Sequence, residues 1–250
     1  MSLNVRFLSA GLVHRAGSAD TPTPSEPRLL ASVILVWPDA VLLDMDGTLV
    51  ETEPYWVAAE EALVAEHGGT WSSEHALNLV GNNLLDSGRY IREHAGVDLE
   101  PSEIVAELLD RVGVLMADDV PWRPGALDLL AALGQAGIPT ALVTMSYARF
   151  VRPVLAQLPQ DTFATVVTGD SVSQGKPHPE PYLAAARALR VDPTRCLAVE
   201  DSNTGARSAE AAGCTVLVVP NHVPVLPAPQ RIFRDSLVGL DVADLAGLRA

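Results

Sequence analysis

The chain has 250 residues, enough for one large domain or for a medium-sized domain with a smaller one. Hydrophobic residues make up 48% of the chain and charged residues 19%, a balance that excludes wholesale disorder. Lysine and arginine number 17 and acidic residues 31, so the formal net charge is −14. Because the cationic residues form no cluster, we expect no nucleic acid partner.

The first 38 residues differ from the rest of the chain. Residues 18–27 are polar and rich in proline without hydrophobic periodicity, which predicts a flexible N-terminal extension over residues 1–38. The alternative is a tail that binds a partner or directs targeting. The apolar stretch 29–37 is about half as long as a bilayer span requires. It also lies too far from the N-terminus, with no small-residue cleavage pattern, for a signal peptide.

Two cysteines, Cys196 and Cys214, lie next to apolar runs and form no CxxC pair. Cysteines in this setting behave as small buried hydrophobic residues, and free thiols suit a reducing compartment. We therefore expect a cytoplasmic protein with no membrane partner.

Five short apolar runs follow residue 39, and helix-forming stretches lie between them at 124–136, 181–189 and 205–212. The runs are continuous rather than alternating, as is typical of strands buried on both faces of a parallel sheet. Alternation of strand and helix predicts an α/β fold with a doubly wound, Rossmann-like parallel-sheet core. The runs are AVLLD (40–44), TALVT (140–144), ATVVTG (164–169), RCLAVED (195–201) and TVLVV (215–219).

The interval 54–121 breaks this alternation because it contains only helix-like stretches. Three glycines stand where the C-caps of such helices belong, and prolines bound the interval at both ends. We predict a helical cap domain over 54–121, inserted between the two parts of a catalytic core, 39–53 and 122–250. The helix-like stretches are 56–68, 74–81, 84–96 and 101–117, and the glycines are Gly68, Gly81 and Gly96.

Polar side chains follow the predicted strands at their carboxyl ends, the edge of an open α/β sheet where ligands bind. Four carboxylates that face one another repel unless a hard cation lies among them, and oxygen ligands in an incomplete protein cage favour Mg²⁺. Taken alone, each of these residues has a structural explanation, such as a turn, a helix cap or the end of a strand. Those explanations are weaker for the whole set, because all of the residues follow predicted strands. In chain order they are Asp44, Asp46, Thr144, Ser146, Lys176, Glu200 and Asp201.

Lys176 is the only lysine among the 17 cationic residues, and all the others are arginine. A compact ammonium group suits phosphate binding by a point charge, and the alternative is a chance survivor of an arginine-rich composition. The segment GDSVSQGK (169–176) is not a P-loop, because its glycine spacing is off by one and Pro177 replaces the hydroxyl residue that would hold Mg²⁺.

With these residues in place, the chain resembles the haloacid dehalogenase superfamily of phosphotransferases over about residues 39–240. The resemblance rests on four motifs in order: DMDGTL (44–49), VTMS (143–146), GKPHPEPY (175–182) and VEDSNTGARSAEAAG (199–213). The long last motif and the helical insertion after the first are similar to the beta-phosphoglucomutase-like branch, which includes small-sugar phosphatases and phosphomutases.

The resemblance implies a role for each matching residue. Asp44 would be the nucleophile that forms an aspartyl-phosphate, and Asp46 would protonate the leaving oxygen and then deprotonate the attacking water. Thr144 and Lys176 would hold the phosphoryl oxygens. The second aspartate favours phosphate esters, because the dehalogenases of the family lack it.

The resemblance also implies the cofactor. Mg²⁺ would be held by Asp44, by the backbone carbonyl of Asp46 and by Asp201, with Glu200 as a further ligand or close beside the ion. The expected partner is a small phosphorylated metabolite, and we expect a monomer or a weak homo-oligomer.

The cap departs from the mutase pattern. Trp56 stands where mutases of this branch carry a histidine, and Asn82 and Asn83 stand after Gly81, where they carry an arginine. Without cap cations to hold a bisphosphate, water is the favoured acceptor, which predicts a phosphatase for a sugar or polyol monophosphate. A phosphomutase and a non-catalytic binding protein on the same scaffold are the alternatives.

Substrate contacts are predicted on both sides of the expected cleft. On the core side they are Met145 and Ser146, and on the cap side Trp56, Asn82 and Asn83. For Trp56, packing in the cap core is the alternative.

Overall fold

The computed structural model describes residues 37–79 and 82–248. Six strands, all paired in parallel, form its central sheet. The strands are β1 (Ala40–Leu43), β2 (Thr140–Val143), β3 (Thr165–Val167), β4 (Cys196–Glu200), β5 (Thr215–Val218) and β6 (Arg231–Phe233). All five predicted strands are present, and the parallel sheet flanked by helices confirms the predicted α/β fold.

Helices connect the strands, and every predicted helix is present with ends shifted by up to three residues. The largest shift is at the first, which begins at Glu53 rather than residue 56, with Pro54 in its opening turn. The helices are α1 (Glu53–Glu66), α2 (Ser73–Leu79), α3 (Leu84–Ala95), α4 (Pro101–Asp118), α5 (Ala126–Ala136), α6 (Ala148–Ala156), α7 (Glu180–Leu189), α8 (Asn203–Ala212) and α9 (Val242–Leu245).

Neighbouring residues of a strand pack into different cores, which explains the continuous apolar runs. In β1, Val41 and Leu43 join a core that includes α5 and α6. Ala40 and Leu42 join a second core built with α7 and α8. Because helices cover both faces of the sheet, neither face needs polar residues.

Strand order brings three carboxyl ends together. The order is β3-β2-β1-β4-β5-β6, so β1 lies between β2 and β4. Leu43 pairs with Leu142 of β2 and with Val199 of β4, and the residues that follow these strands therefore meet at one edge. The chain winds outward to β3, then returns to β4 on the other side of β1, and this reversal opens a crevice where ligands bind in such folds.

Helices α1 to α4 form the helical insertion (53–118) between β1 and α5. Leu63 of α1, Ile91 of α3, and Ile104 and Leu108 of α4 are buried in one continuous apolar cluster. Helix α3 ends at Gly96, whose φ of 72° is the left-handed geometry expected of a glycine C-cap. Gly81 lies outside the described residues. The division into a cap domain (54–121) and a core stays a prediction.

Strand β6, helix α6 and the four-residue helix α9 were not predicted from the sequence, and the first two show why. Strand β6 is three half-buried residues at the sheet edge, too short for a continuous apolar run. Helix α6 contains Pro153, which interrupts a helical pattern, but its residues Phe150, Val151 and Val154 are buried in the larger apolar core, where α6 contacts α4. Tertiary packing therefore decides both elements.

The prediction for the N-terminal extension falls mostly outside the described residues, whereas the prediction for the cysteines is confirmed. Of the predicted extension (1–38), residues 1–36 lie outside the described residues. Cys196 and Cys214 are buried and form no disulfide with each other, as predicted. Across 37–79 and 82–248, no helix is both long and apolar enough to cross a membrane.

Phe150 joins the core to the insertion, and we predict that its loss destabilises the fold. The ring is buried in α6 and lies 5.5 Å, centroid to centroid, from Trp56 of α1. Phe150→Ala should lower the free energy of unfolding in urea by about 3–5 kcal/mol, because it leaves a cavity. Leu127→Ala, at an exposed position of α5, is the control and should change it by no more than about 0.5 kcal/mol. Equal losses in both variants would contradict the packing assigned to Phe150.

Candidate functional site

A tight turn follows β1 and places two aspartates at the sheet edge. The backbone amides of Leu49 and Val50 both donate to the carbonyl of Met45, which closes the turn. Gly47 has a φ of 80°, and a Cβ at this position would lie 2.1 Å from Oδ2 of Asp201. Only glycine therefore lets the turn pass this close to the end of β4.

Asp44 is the first residue after β1 and is almost completely buried. Its backbone amide donates to the carbonyl of Val199 over 3.0 Å, which holds it against the end of β4. Nζ of Lys176 lies 2.7 Å from Oδ1 of Asp44 and also 2.7 Å from Oε1 of Glu200. The single lysine of the chain thus joins carboxylates that follow or end two different strands.

Three carboxylates are crowded around this ammonium group. Asp44, Glu200 and Asp201 each place an oxygen within 4.8 Å of the others. Burial raises the pKa of Asp201 well above its ordinary value, and repulsion from Asp44 and Glu200 raises it further. Burial would lower the pKa of Lys176, but Asp44 and Glu200 outweigh it and raise that pKa. One ammonium does not balance three carboxylates, so a further cation would stabilise the group.

The donor set fits a hard divalent cation such as Mg²⁺. Oδ2 of Asp44 is buried and has no hydrogen-bond partner among the described residues. The Asp46 carbonyl likewise accepts no backbone hydrogen bond in that part of the chain. These oxygens and the carboxylate of Asp201 are all hard ligands, as Mg²⁺ prefers. An unpartnered buried carboxylate oxygen is otherwise costly, and a bound cation would satisfy it.

Asp46 lies in a different environment from Asp44. Its Oδ1 accepts a hydrogen bond from the hydroxyl of Thr52 at 2.7 Å, and its Oδ2 accepts from the hydroxyls of Thr144 at 3.0 Å and Ser146 at 2.8 Å. Burial, followed by repulsion from Asp44, raises the pKa of Asp46. Two carboxyl groups two residues apart thus have different environments, one beside an ammonium group and one among hydroxyl groups with a raised pKa.

Two residues predicted at the site lie behind the cavity rather than on its wall. Thr144 is fully buried, and its hydroxyl contacts Asp46 and the amide of Ser146. Glu200 is fully buried and accepts hydrogen bonds from Lys176 and the hydroxyl of Tyr182. In this arrangement Thr144 positions Asp46, and contact of its hydroxyl with a phosphoryl group stays a prediction.

The remaining predicted residues line one cavity between the sheet edge and the helical insertion, with a volume of about 150 Å³. Its core side carries three aspartates and Lys176, and its insertion side carries neutral and apolar side chains together with the acids Glu53 and Glu60. The predicted residues on its wall are Asp44, Asp46, Trp56, Asn82, Asn83, Met145, Ser146, Lys176 and Asp201.

Three predicted substrate contacts in the insertion also have structural contacts. Asn83 is the N-cap of α3 and accepts from the amide of Asp86. The side-chain amide of Asn82 donates to the carbonyl of Asn78 at 2.8 Å. One part of Trp56 packs against Phe150 and another part lines the cavity. The residue is therefore placed both for packing and for substrate contact. Contact of all three residues with substrate stays a prediction.

Several residues at the site were not predicted from the sequence. Gly205 carries the start of α8 so close to Glu200 that a Cβ would lie 2.0 Å from the carboxylate oxygens. The guanidinium of Arg123 donates to the carbonyl of Gly47 and so supports the turn after β1. Tyr182 and Gly205 lie within motifs that the sequence displays, but Arg123 and Thr52 carry no comparable signal.

Glu60 is a further cavity residue that was not predicted from the sequence. It lies on α1, its side chain is only 5% exposed, and it lines the wall formed by the insertion. Its Oε2 accepts a hydrogen bond from Nε1 of Trp71 at 3.2 Å. Burial raises the pKa of Glu60 to about 8, the bond from Trp71 opposes the shift, and repulsion from Glu53 and Glu61 adds to it.

Comparison with known proteins gives a consistent set of relatives. A family model described as haloacid dehalogenase-like hydrolase matches residues 38–213. Hexitol phosphatase A of Escherichia coli (strain K12) is 35% identical over 184 residues, which cover 71% of this chain and 81% of that protein. The bifunctional riboflavin kinase/FMN phosphatase of Arabidopsis thaliana is 31% identical over 183 residues, 72% of this chain. The match spans 48% of that relative, about half its length.

A solved structure is similar over most of the chain. The crystal structure of a mutant of CbbY from Rhodobacter sphaeroides, in complex with xylulose-(1,5)bisphosphate, has a TM-score of 0.73 and 30% identity. The similarity covers 84% of this chain and 99% of that one. It therefore includes both the sheet and the helical insertion.

We predict that Glu60→Gln stabilises the fold in alkaline solution and not in acid. The folded-state pKa of about 8 lies above the ordinary 4.5, so stability is lost as the pH rises between these values. At pH 9 the variant should exceed the wild type by about 2 kcal/mol or more in unfolding free energy, and at pH 4.5 the two should be nearly equal.

Urea unfolding at both pH values measures this difference. Glu61→Gln is the matched control, because Glu61 is the next residue of α1 and is exposed. A pH-independent difference for Glu60→Gln would contradict the raised pKa.

Proposed function

The chain belongs to the haloacid dehalogenase-like hydrolases, in the beta-phosphoglucomutase-like branch, and is a phosphoric monoester hydrolase. On that premise we propose that it is a Mg²⁺-dependent phosphatase that hydrolyses a sugar or polyol monophosphate through an aspartyl-phosphate on Asp44. The observation that carries the proposal is the contrast between two neighbouring carboxyl groups. Asp44 is held by Lys176, whereas Asp46 lies among hydroxyl groups with a raised pKa.

In the first half-reaction a carboxylate oxygen of Asp44 attacks the phosphorus of the substrate. The bond from phosphorus to the alcohol oxygen breaks, and Asp46 gives its proton to that oxygen as the alcohol leaves. Hydrogen bonds from Thr52, Thr144 and Ser146 hold the Asp46 carboxyl in place for this transfer. The ammonium of Lys176 orients Asp44 and offers positive charge to the phosphoryl oxygens as charge develops on them.

In the second half-reaction Asp46 acts as a base. It removes a proton from a water molecule, whose oxygen attacks the phosphorus and breaks the bond to Asp44. Inorganic phosphate leaves, Asp44 is again a carboxylate and Asp46 is again protonated. Reuse of one carboxyl as acid and then base requires a pKa near the working pH, and the raised pKa of Asp46 supports this.

The side chains of Asp44 and Asp201 and the carbonyl of Asp46 would hold Mg²⁺, with Glu200 as a further ligand or close beside the ion. When bound, the ion would neutralise charge on the phosphoryl group. The unpartnered Oδ2 of Asp44 supports this assignment.

The cavity wall favours hydrolysis over mutase chemistry. A mutase must hold a bisphosphate intermediate while that intermediate reorients in the cavity. Binding of its second phosphate requires cations in the insertion. Among the described residues of the wall, the basic ones are Lys176 and His222, and neither lies on the insertion. Lys176 is bound to Asp44 and Glu200, and Nε2 of His222 lies 2.8 Å from Oε1 of Glu51.

The complete set of reacting groups weighs against a non-catalytic binding protein on this scaffold. Two buried cysteines that form no disulfide with each other support a reducing, cytoplasmic setting. A monomer or weak homo-oligomer remains our expectation for the assembly.

Removal of the metal tests the cofactor assignment. EDTA should abolish phosphate release from p-nitrophenyl phosphate, and added Mg²⁺ should restore it, because Asp44, Glu200 and Asp201 repel one another without a cation. Mg²⁺ should also raise the melting temperature of the wild type more than that of Asp201→Asn. Full activity in the chelator would overturn the assignment.

Substitution of the two aspartates tests the division of roles. Asp44→Asn should abolish turnover, because an amide of the same shape does not attack phosphorus. Asp46→Asn should slow both half-reactions, typically by about 10²–10⁴-fold. Steady-state phosphate release measures both effects, with Asp128→Asn at an exposed position of α5 as the control. Near-normal turnover by Asp44→Asn would rule out that nucleophile.

A further inference from the structure

Helix α1 presents acidic side chains to the cavity from the insertion side. Glu53 and Glu60 both line the wall, and their spacing of seven residues is close to two helical turns, which puts them on one face of α1. Trp56 lies between them on the same face. The mechanism of phosphoryl transfer uses neither acid.

The protein satisfies Glu60 only in part. Oε2 accepts the bond from Trp71, and Oε1 receives no hydrogen bond from any residue in the described ranges. The ion pairs within the insertion are formed elsewhere, by Arg89, Arg92 and Arg111 with other acids. A buried carboxyl group without a cation and with one hydrogen bond is costly to the fold. Its place on a cavity wall indicates that a ligand supplies the missing donor.

The surroundings of Glu60 suit a polyhydroxylated carbon chain. The polar neighbours on the insertion side include the hydroxyl of Ser87 and the amide of Asn82, both neutral. Apolar surface is supplied by the rings and side chains of Trp56, Leu79 and Leu84. Such a mixture contacts both the C–H and the O–H groups of a polyol.

We propose that Glu60 determines substrate specificity by binding a hydroxyl group of the alcohol portion of the substrate, remote from the phosphate. The inference rests on the proposed phosphatase function and names the feature that the cavity selects: a neutral, hydroxylated leaving group. A second phosphate on the substrate would be repelled by Glu53 and Glu60. Among the described residues of the wall, no unpaired cation would bind it, so bisphosphates are disfavoured.

A hydroxyl group fits this position better than an ammonium group. A hydroxyl both donates and accepts, and it therefore binds Glu60 whether the carboxyl is ionised or protonated. The raised pKa of Glu60 means that both forms are present near neutral pH. An ammonium group only donates and needs the ionised form.

The test compares kcat/KM for four substrates at pH 7.5 with Mg²⁺ present. Sorbitol 6-phosphate carries the hydroxyl groups, p-nitrophenyl phosphate lacks them, fructose 1,6-bisphosphate adds a second phosphate and O-phosphoethanolamine supplies an ammonium. The enzymes are the wild type, Glu60→Ala, the nearly isosteric Glu60→Gln, and the matched control Glu61→Gln.

Glu60→Ala should lower kcat/KM for sorbitol 6-phosphate by at least about tenfold relative to p-nitrophenyl phosphate, as expected for a lost hydrogen bond to a charged or polar partner. Glu60→Gln, whose amide also donates and accepts, should recover part of that loss. Glu61→Gln should leave the substrate ranking unchanged. The wild type should prefer sorbitol 6-phosphate to the bisphosphate by at least about tenfold.

Equal losses on sorbitol 6-phosphate and p-nitrophenyl phosphate would overturn the proposal and make Glu60 a packing residue. A preference for O-phosphoethanolamine that Glu60→Gln removes would also overturn it, in favour of an ammonium ligand. A wild-type enzyme with a higher kcat/KM for fructose 1,6-bisphosphate than for sorbitol 6-phosphate would also overturn the proposal. Failure of the proposed function is distinguishable, because the wild type would then release phosphate from none of the four.

Discussion

The buried contact of Lys176 with Asp44 and Glu200 is the interaction on which the site depends. Its ammonium group lies 2.7 Å from a carboxylate oxygen of each acid, and all three side chains are nearly or fully buried. Loss of one partner of such a group leaves an uncompensated charge, which is far more costly than loss of a surface ion pair. The contact also links the loop after β3 to the ends of β1 and β4, and thereby fixes the distances between elements far apart in the chain.

The same contact leaves negative charge in excess, and that excess has a chemical use. Asp201 adds a third carboxylate, and Oδ2 of Asp44 has no partner in the described part of the chain. A site with unbalanced negative charge attracts a cation, and a cation together with Lys176 is what a phosphoryl group requires. Binding of a cation would relieve the repulsion among the three carboxylates, and this relief would contribute to the free energy of binding.

Chemistry and selectivity lie on opposite sides of the cavity. The sheet edge carries Asp44, Asp46 and Asp201 on a firm support, because β1, β2 and β4 are buried and hydrogen-bonded side by side. The helical insertion carries Trp56 and Glu60 on the opposite wall, where the proposed function places the alcohol portion of the substrate. A change in the insertion can therefore alter the substrate without disturbing Asp44 or Asp46, as is common where function is added to a shared fold.

The sequence by itself determined the strands, most helices and the residues at the strand ends, because these depend on local patterns. Continuous apolar runs indicate strands buried on both faces, and parallel strands necessarily bring their carboxyl ends to one edge. Asp44, Lys176 and Asp201 were predicted together for that reason. Strand β6 and helix α6 were not, since neither has a local pattern strong enough to outweigh its short length or its proline.

Only the tertiary structure decided which atoms face one another. The hydroxyl of Thr144 contacts Asp46 across 98 residues of sequence, and Lys176 reaches Asp44 across 132. In the sequence Glu60 is an ordinary helical acid, and only the packing of α1 buries it beside Trp71. Burial and hydrogen bonding set the pKa of a carboxyl group, and both arise from residues distant in the chain. The kind of chemistry and the expected roles of Asp44 and Asp46 could therefore be predicted from the sequence, whereas the hydrogen bonds and pKa shifts of the carboxyl groups required the fold.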